Sequence, residues 1–213
     1  MHTDSNQEEK SRQKSAIMKN DIILSGVGGQ GILSIAAVIG LAAVGNNLYL
    51  KQSEVHGMSQ RGGDVQSHFR LSDKPIWSDL IPHGKADLII SVEPMESLRY
   101  LPWLSKKGWL VTNSNPYVNI PEYPEPEMII AEIRKIKNNI IIDADNIARE
   151  AGSVRSGNIV VLGAASPFIS MSYESLENAI RKIFERKGDD VVNINLKALK
   201  AGRNYTEAAR KRG

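Results

Sequence analysis

The chain has 213 residues and no cysteine, with 41% hydrophobic and 24% charged residues, a length that suits one generous α/β domain or two small ones and buries a core without disulfide staples. The missing cysteines exclude thiolate zinc sites, protein-ligated iron–sulfur clusters, a cysteine nucleophile and any disulfide framework. The net charge of +3 is concentrated at the C-terminus, where Lys200, Arg203, Arg210, Lys211 and Arg212 face only Glu207, so the body carries no nucleic-acid footprint.

Residues 1–20 hold no periodic apolar pattern and are expected to be a disordered tail, the first seventeen residues being dispensable. They also lack the apolar stretch of a signal peptide. No apolar run approaches the roughly 18 residues of a membrane span, so the expectation is a cytoplasmic protein without membrane association. The short run 21–25 (DIILS) reads as a buried strand and leads directly into Gly26-Val27-Gly28-Gly29-Gln30-Gly31. Small and apolar residues at 32–44 predict a buried helix, stopped by Gly45 and Asn46. A strand is expected at 48–50, a polar glycine-punctuated loop at 53–64, and a half-exposed strand at 65–71.

Residues 86–92 predict a further buried strand. Pro94 then opens a helix to about 101, and 108–112 is another core strand. Four prolines in 113–126 predict a loop. Next come a helix at 127–137, a strand at 139–143, a short helix to Ala151 and a buried helix at 158–169. Ser172 caps an amphipathic helix through about Arg186, ended by Gly188, and a last helix covers about 189–201. The expected organisation is a tail at 1–20, one domain at 21–203 and a basic, solvated tail at 204–213. Strands alternating with helices predict a single Rossmann-like α/β domain with a mainly parallel, doubly wound sheet.

The run Gly26 to Gly31 lies where a phosphate-binding loop must lie, between a strand and a helix. Glycines let backbone approach an anion, and the free N–H groups and dipole at a helix start attract it. The spacing also fits a dinucleotide fingerprint, whose acidic ribose ligand belongs near residue 50. Leu50, Lys51, Gln52 and Ser53 stand there instead, and Glu54 follows. A glycine turn serving only helix–strand packing is the third reading, and a phosphate-bearing ligand is favoured. The loop at 53–64 holds His56 and Glu54, a possible acid–base pair, and Arg61, a candidate for a phosphate or carboxylate. His56, His68 and His83 show no ligand spacing, so no metal is expected. Asp143 reads as a helix cap rather than half of a catalytic pair with Asp145. Asn158, after Arg155-Ser156-Gly157, is either a cap or a group facing the loops. Ser34 and Ser91 lack the context of a serine hydrolase.

Three stretches taken together carry a resemblance: DIILSGVGGQGI at 21–32, SEVHGMSQRGGDVQSHFR at 53–70 and IDADNIAREAGSVRSGNIVVLGA at 142–164. They resemble the gamma-type subunits of 2-oxoacid:ferredoxin oxidoreductases, and EVHGMSQRGG is most similar to the small (beta) subunits of the indolepyruvate enzymes. The resemblance covers about 21–200. It implies a subunit, inactive alone, of an enzyme converting a 2-oxoacid such as indolepyruvate, coenzyme A and oxidised ferredoxin to acyl-CoA, carbon dioxide and reduced ferredoxin. Thiamine diphosphate and the iron–sulfur clusters are then expected on the large partner subunit, ferredoxin is met through the complex, and the isolated chain has the option of a homodimer. Coenzyme A contacts are implied at Gly26, Val27, Gly28, Gly29, Gln30 and Asn158, and more weakly at Ser59, Gln60, Arg61 and Gly62. Related pyruvate enzymes carry lysines near the positions of Ser59 and Gln60. A free-standing dinucleotide-binding oxidoreductase and an assembly module that binds no ligand are the competing readings.

Overall fold

The computed structural model describes residues 18–57, 62–118 and 120–211. Most of the expected N-terminal tail, and Ser59, Gln60 and Arg61 of the second motif, lie outside the described residues. Six strands form one sheet: β1 (Lys19–Val27), β2 (Tyr49–His56), β3 (Asp64–Ser72), β4 (Ala86–Ser91), β5 (Leu104–Asn113) and β6 (Asn139–Ile142), in the order β2-β3-β1-β4-β5-β6. The strands β1, β4, β5 and β6 are parallel neighbours, while β3 is antiparallel to both β1 and β2. Two reversals leave β2 running in the direction of β1. Only β3 is reversed, so the mainly parallel sheet stands.

Alternation along the strands builds two cores. Ile22 and Leu24 of β1, Leu88 and Ile90 of β4, and Val111 of β5 join a core on one face. The intervening Ile23, Ile89 and Leu110 join a smaller core on the other. The first face carries α1 (Ile32–Gly45), α4 (Ala144–Ala151), α5 (Gly157–Ala165), α6 (Tyr173–Phe184) and α7 (Asp189–Arg210). The second carries α2 (Pro94–Arg99) and α3 (Pro126–Arg134). Burying each large aliphatic side chain contributes about 1.5–3 kcal/mol, which explains why strands this apolar must sit between two layers.

Four expectations are corrected. The strand expected to be half-exposed is β3, lodged between β1 and β2, with Phe69, Ser67 and Leu71 essentially inaccessible. Its register on β1 is marked by a buried ion pair between directly opposed residues: Arg70 Nε and Nη2 donate to the two carboxylate oxygens of Asp21 at 2.8 and 3.2 Å. The polar stretch 53–64 is not all loop, because β2 runs to His56 and β3 starts at Asp64. Nor is the basic terminus a frayed tail. Helix α7 continues to Arg210, with Thr206 buried and donating to Ala164 O at 2.8 Å, and Tyr205 donating to Ile141 O at 2.7 Å. The helix expected at 158–169 ends at Ala165 and gives way to a 3-10 turn over Ser166–Phe168, where Pro167 stands.

Candidate functional site

The glycine loop leaves β1 at the carboxyl edge of the sheet and enters α1 at Gly31, which caps the helix at φ 82°. That left-handed backbone is open to glycine and strained for other residues. Gly26 is needed for another reason: a Cβ there would lie 2.4 Å from Val92 Cγ2. Several loop donors are already engaged. Gln30 folds inward, its Oε1 accepting from the Val27 N–H at 2.8 Å and its Nε2 donating to Val92 O at 3.5 Å. The Gly28 N–H donates to Gly63 O at 2.8 Å, and the Gln30 N–H to Val27 O at 3.1 Å. The β2–β3 turn, with Gly62 at φ 82°, is thereby tied to the glycine loop at the same sheet edge.

The N–H groups of Gly29, Gly31, Ile32 and Leu33 have no partner among the described residues. The first turn of α1 contains no acidic residue to occupy them. Gly29 and Gly31 line a cleft of about 700 Å³, within the usual size range for small-molecule sites, and Ile32 and Leu33 follow them in the first turn of α1. Part of its lining is Gly29, Gln30, Gly31 and Ser34; more comes from 153–158, the end of α6 and the start of α7. Asn158 joins two of these segments, its Nδ2 donating to Gly31 O at 2.9 Å while Oδ1 accepts from the Ile159 N–H at 2.9 Å. Of the candidates named from sequence, Gly29, Gln30 and Asn158 line the cleft. Gly26, Val27 and Gly28 shape the loop behind it, and Gly62 lies in the adjoining turn.

The dinucleotide geometry is not formed. Its ribose carboxylate would stand at the end of a strand beside β1, but β3 occupies that place and β2 lies one strand further out. Asp143 is a cap, as expected: it accepts from the Asn146 N–H at 3.0 Å, and it also holds Asn115 at 3.1 Å. Sequence reasoning missed Lys187, Phe184 and Asn195, which line the cleft from a distant segment and carry no local motif. It also missed Glu93, fully buried at the end of β4. Glu93 caps α2 through the Glu96 N–H at 2.7 Å and accepts from the Tyr117 N–H at 3.3 Å and from the Tyr123 hydroxyl, fastening the proline-rich loop. Burial and the Glu93 carboxylate both push the Tyr123 hydroxyl far above its ordinary value, so it stays a donor. An acid directly before Pro94 was the available signal.

Comparison with known proteins decides the family. Residues 21–205 match the pyruvate ferredoxin/flavodoxin oxidoreductase family. The chain belongs to that family. An indolepyruvate oxidoreductase subunit IorB from Archaeoglobus fulgidus is 39% identical over 202 residues, covering 91% of this chain and 98% of the relative. In fold, the chain is similar to the gamma subunit of a keto/oxoacid ferredoxin oxidoreductase from Geobacter sulfurreducens, with TM-score 0.63, 24% identity and coverage of 89% and 99% of the two chains. It is also similar to part of a 2-oxoglutarate:ferredoxin oxidoreductase from Magnetococcus marinus, solved with 2-oxoglutarate, coenzyme A and succinyl-CoA bound. There the TM-score is 0.70 and the identity 21%, over 89% of this chain and 31% of that one. This family member is a subunit of a ferredoxin-dependent 2-oxoacid oxidoreductase. Among the described residues no helix is long and apolar enough to cross a membrane.

Proposed function

We propose that this chain is the small subunit of an indolepyruvate-type 2-oxoacid:ferredoxin oxidoreductase and that its cleft binds coenzyme A. The observation that carries the reading is the set of four N–H groups at Gly29, Gly31, Ile32 and Leu33 without a partner among the described residues, two of which, Gly29 and Gly31, belong to residues that line the cleft. Charge-assisted hydrogen bonds from such donors suit a diphosphate, and the macrodipole of α1 adds to the attraction. Val92, Val161, Phe184 and Ile194 supply apolar surface for the uncharged parts of the ligand. When bound, coenzyme A supplies the thiol that takes up the acyl group. Gln30 keeps the Val27 N–H occupied and so holds the loop in the shape that leaves the other donors free.

A chain without cysteine offers no thiolates for an iron–sulfur cluster. We therefore place the clusters, thiamine diphosphate and the contact with ferredoxin on a large partner subunit. The proposed enzyme works in the cytoplasm.

The test uses the complex of this chain with its partner subunit. Gly29 stands at φ 100°, and a Cβ added there would meet nothing within 4 Å. After glycine, such backbone is least unfavourable for Asn and Asp. Gly29→Asp and Gly29→Asn therefore differ mainly in charge. Gly29→Asp is expected to raise the KM for coenzyme A at least about tenfold over Gly29→Asn, with the KM for indolepyruvate unchanged in both. Equal KM values for coenzyme A in an intact complex would remove this loop from the site.

A further inference from the structure

We propose that Arg155 and Lys187 form a second anion-binding element in the cleft, one that recognises a phosphomonoester set apart from the group held by the glycine loop. This rests on the coenzyme A reading above and extends it to the selection of the 3′-phosphorylated form over the dephosphorylated one. The two side chains are the only cations lining the cleft among the described residues, and Asp145 is the only carboxylate there. Asp145 is already engaged, accepting from Asn113 Nδ2 at 3.3 Å.

Neither cation is held by a carboxylate among the described residues. The Arg155 guanidinium has no hydrogen-bond or carboxylate partner among the described residues, and the Lys187 ammonium lies over the Phe184 ring at 5.4 Å with no carboxylate on it. They come from separate parts of the chain. Arg155 sits on the 3-10 turn Val154–Ser156 between α4 and α5, and Lys187 on the 3-10 turn Glu185–Lys187 between α6 and α7. Tertiary folding brings both turns to the cleft that the glycine loop also lines. The cleft thus holds two kinds of anion receptor from separate segments of the chain: backbone N–H groups of the glycine loop, and the side-chain cations Arg155 and Lys187. A ligand with a diphosphate alone satisfies the first and leaves the second idle. A ligand with an additional phosphomonoester, which carries close to two negative charges at neutral pH, satisfies both.

The experiment measures KM for coenzyme A and for dephospho-coenzyme A in the assembled enzyme, for the wild type, Arg155→Met, Lys187→Met and the double variant. Both residues are exposed, and Met keeps most of the aliphatic stem, so folding is not at issue. The wild type is expected to favour coenzyme A by tenfold or more. Each single variant should raise the KM for coenzyme A by about threefold while leaving that for dephospho-coenzyme A unchanged, and the double variant should abolish the preference. If Gly29→Asp weakens both ligands but the cation variants leave the preference intact, the second receptor is refuted while the coenzyme A reading stands. If neither the loop variant nor the cation variants affect either ligand, both fall together.

Discussion

Asn158 Nδ2 donates to Gly31 O at 2.9 Å, joining the first turn of α5 to the cap of α1 across 127 residues of sequence. The contact fills the space beside Gly31: a Cβ built there would lie 2.5 Å from that same Nδ2. One residue's missing side chain and the other's amide are two halves of a single joint at the mouth of the cleft.

Gly31→Ala is therefore expected to push Asn158 away and to strain a backbone at φ 82°. The left-handed conformation alone costs about 1–2 kcal/mol for a residue with a Cβ. The thermal midpoint of the chain should fall accordingly, and the KM for coenzyme A in the complex should rise. Asn158→Ala added to Gly31→Ala should recover part of the loss, because the clash is gone and only the strain remains. Denaturant titrations of Gly31→Ala, Asn158→Ala and the double variant check this; a double variant no better than Gly31→Ala would show that the two residues are not coupled.

The helix pair α5–α7 is as sensitive. A Cβ on Gly202 would lie 2.0 Å from Val160 O, and one on Gly163 would lie 2.1 Å from Leu199 O. Both obstacles are backbone, which cannot rotate aside as a side chain can. Gly202→Ala should destabilise the fold by about 3 kcal/mol or more, at the upper end of overpacking effects. An exposed substitution on the same helix, Lys197→Ala, should change stability by less than about 0.5 kcal/mol. Urea midpoints of the two variants separate the outcomes, and a mild Gly202→Ala would mean that α7 shifts without cost.

The stability of the β3 region should depend on pH through His68. Burial pushes its imidazole below the ordinary value near 6.5, with Arg70 and His83 acting in the same direction and Asp79 opposing. Its Nδ1 accepts from the Ile81 N–H at 3.0 Å, which requires an unprotonated nitrogen there. As pH falls below about 6.5, the unfolded chain takes up a proton before the folded one does, and stability declines toward the lower folded value. Above 6.5 both states are neutral and the effect is absent. His68→Asn keeps an acceptor without titrating, so its midpoint should fall less between pH 7 and pH 5. Parallel pH slopes for wild type and His68→Asn would assign the loss elsewhere.

Local patterning alone determined the elements and much of the loop. Alternating apolar residues in β1 and β4, the cap at Asp143, and the glycines between β1 and α1 are short-range features, set by steric and hydrogen-bonding preferences over a few residues. The same holds for the likeness of three motifs to a known subunit family. Other features depend on partners far along the chain. Residues 65–71 look half-exposed until Arg70 meets Asp21 and β3 enters between β1 and β2. The end of α7 looks like a charged tail until Thr206 reaches Ala164 and Tyr205 reaches Ile141. Which loop N–H groups stay free was decided by Gln30 turning inward onto Val27 and Val92, and the charge of the cleft by two turns that bring Arg155 and Lys187 to it. Such choices follow from burial and pairing between distant segments, for which a local sequence pattern carries no signal.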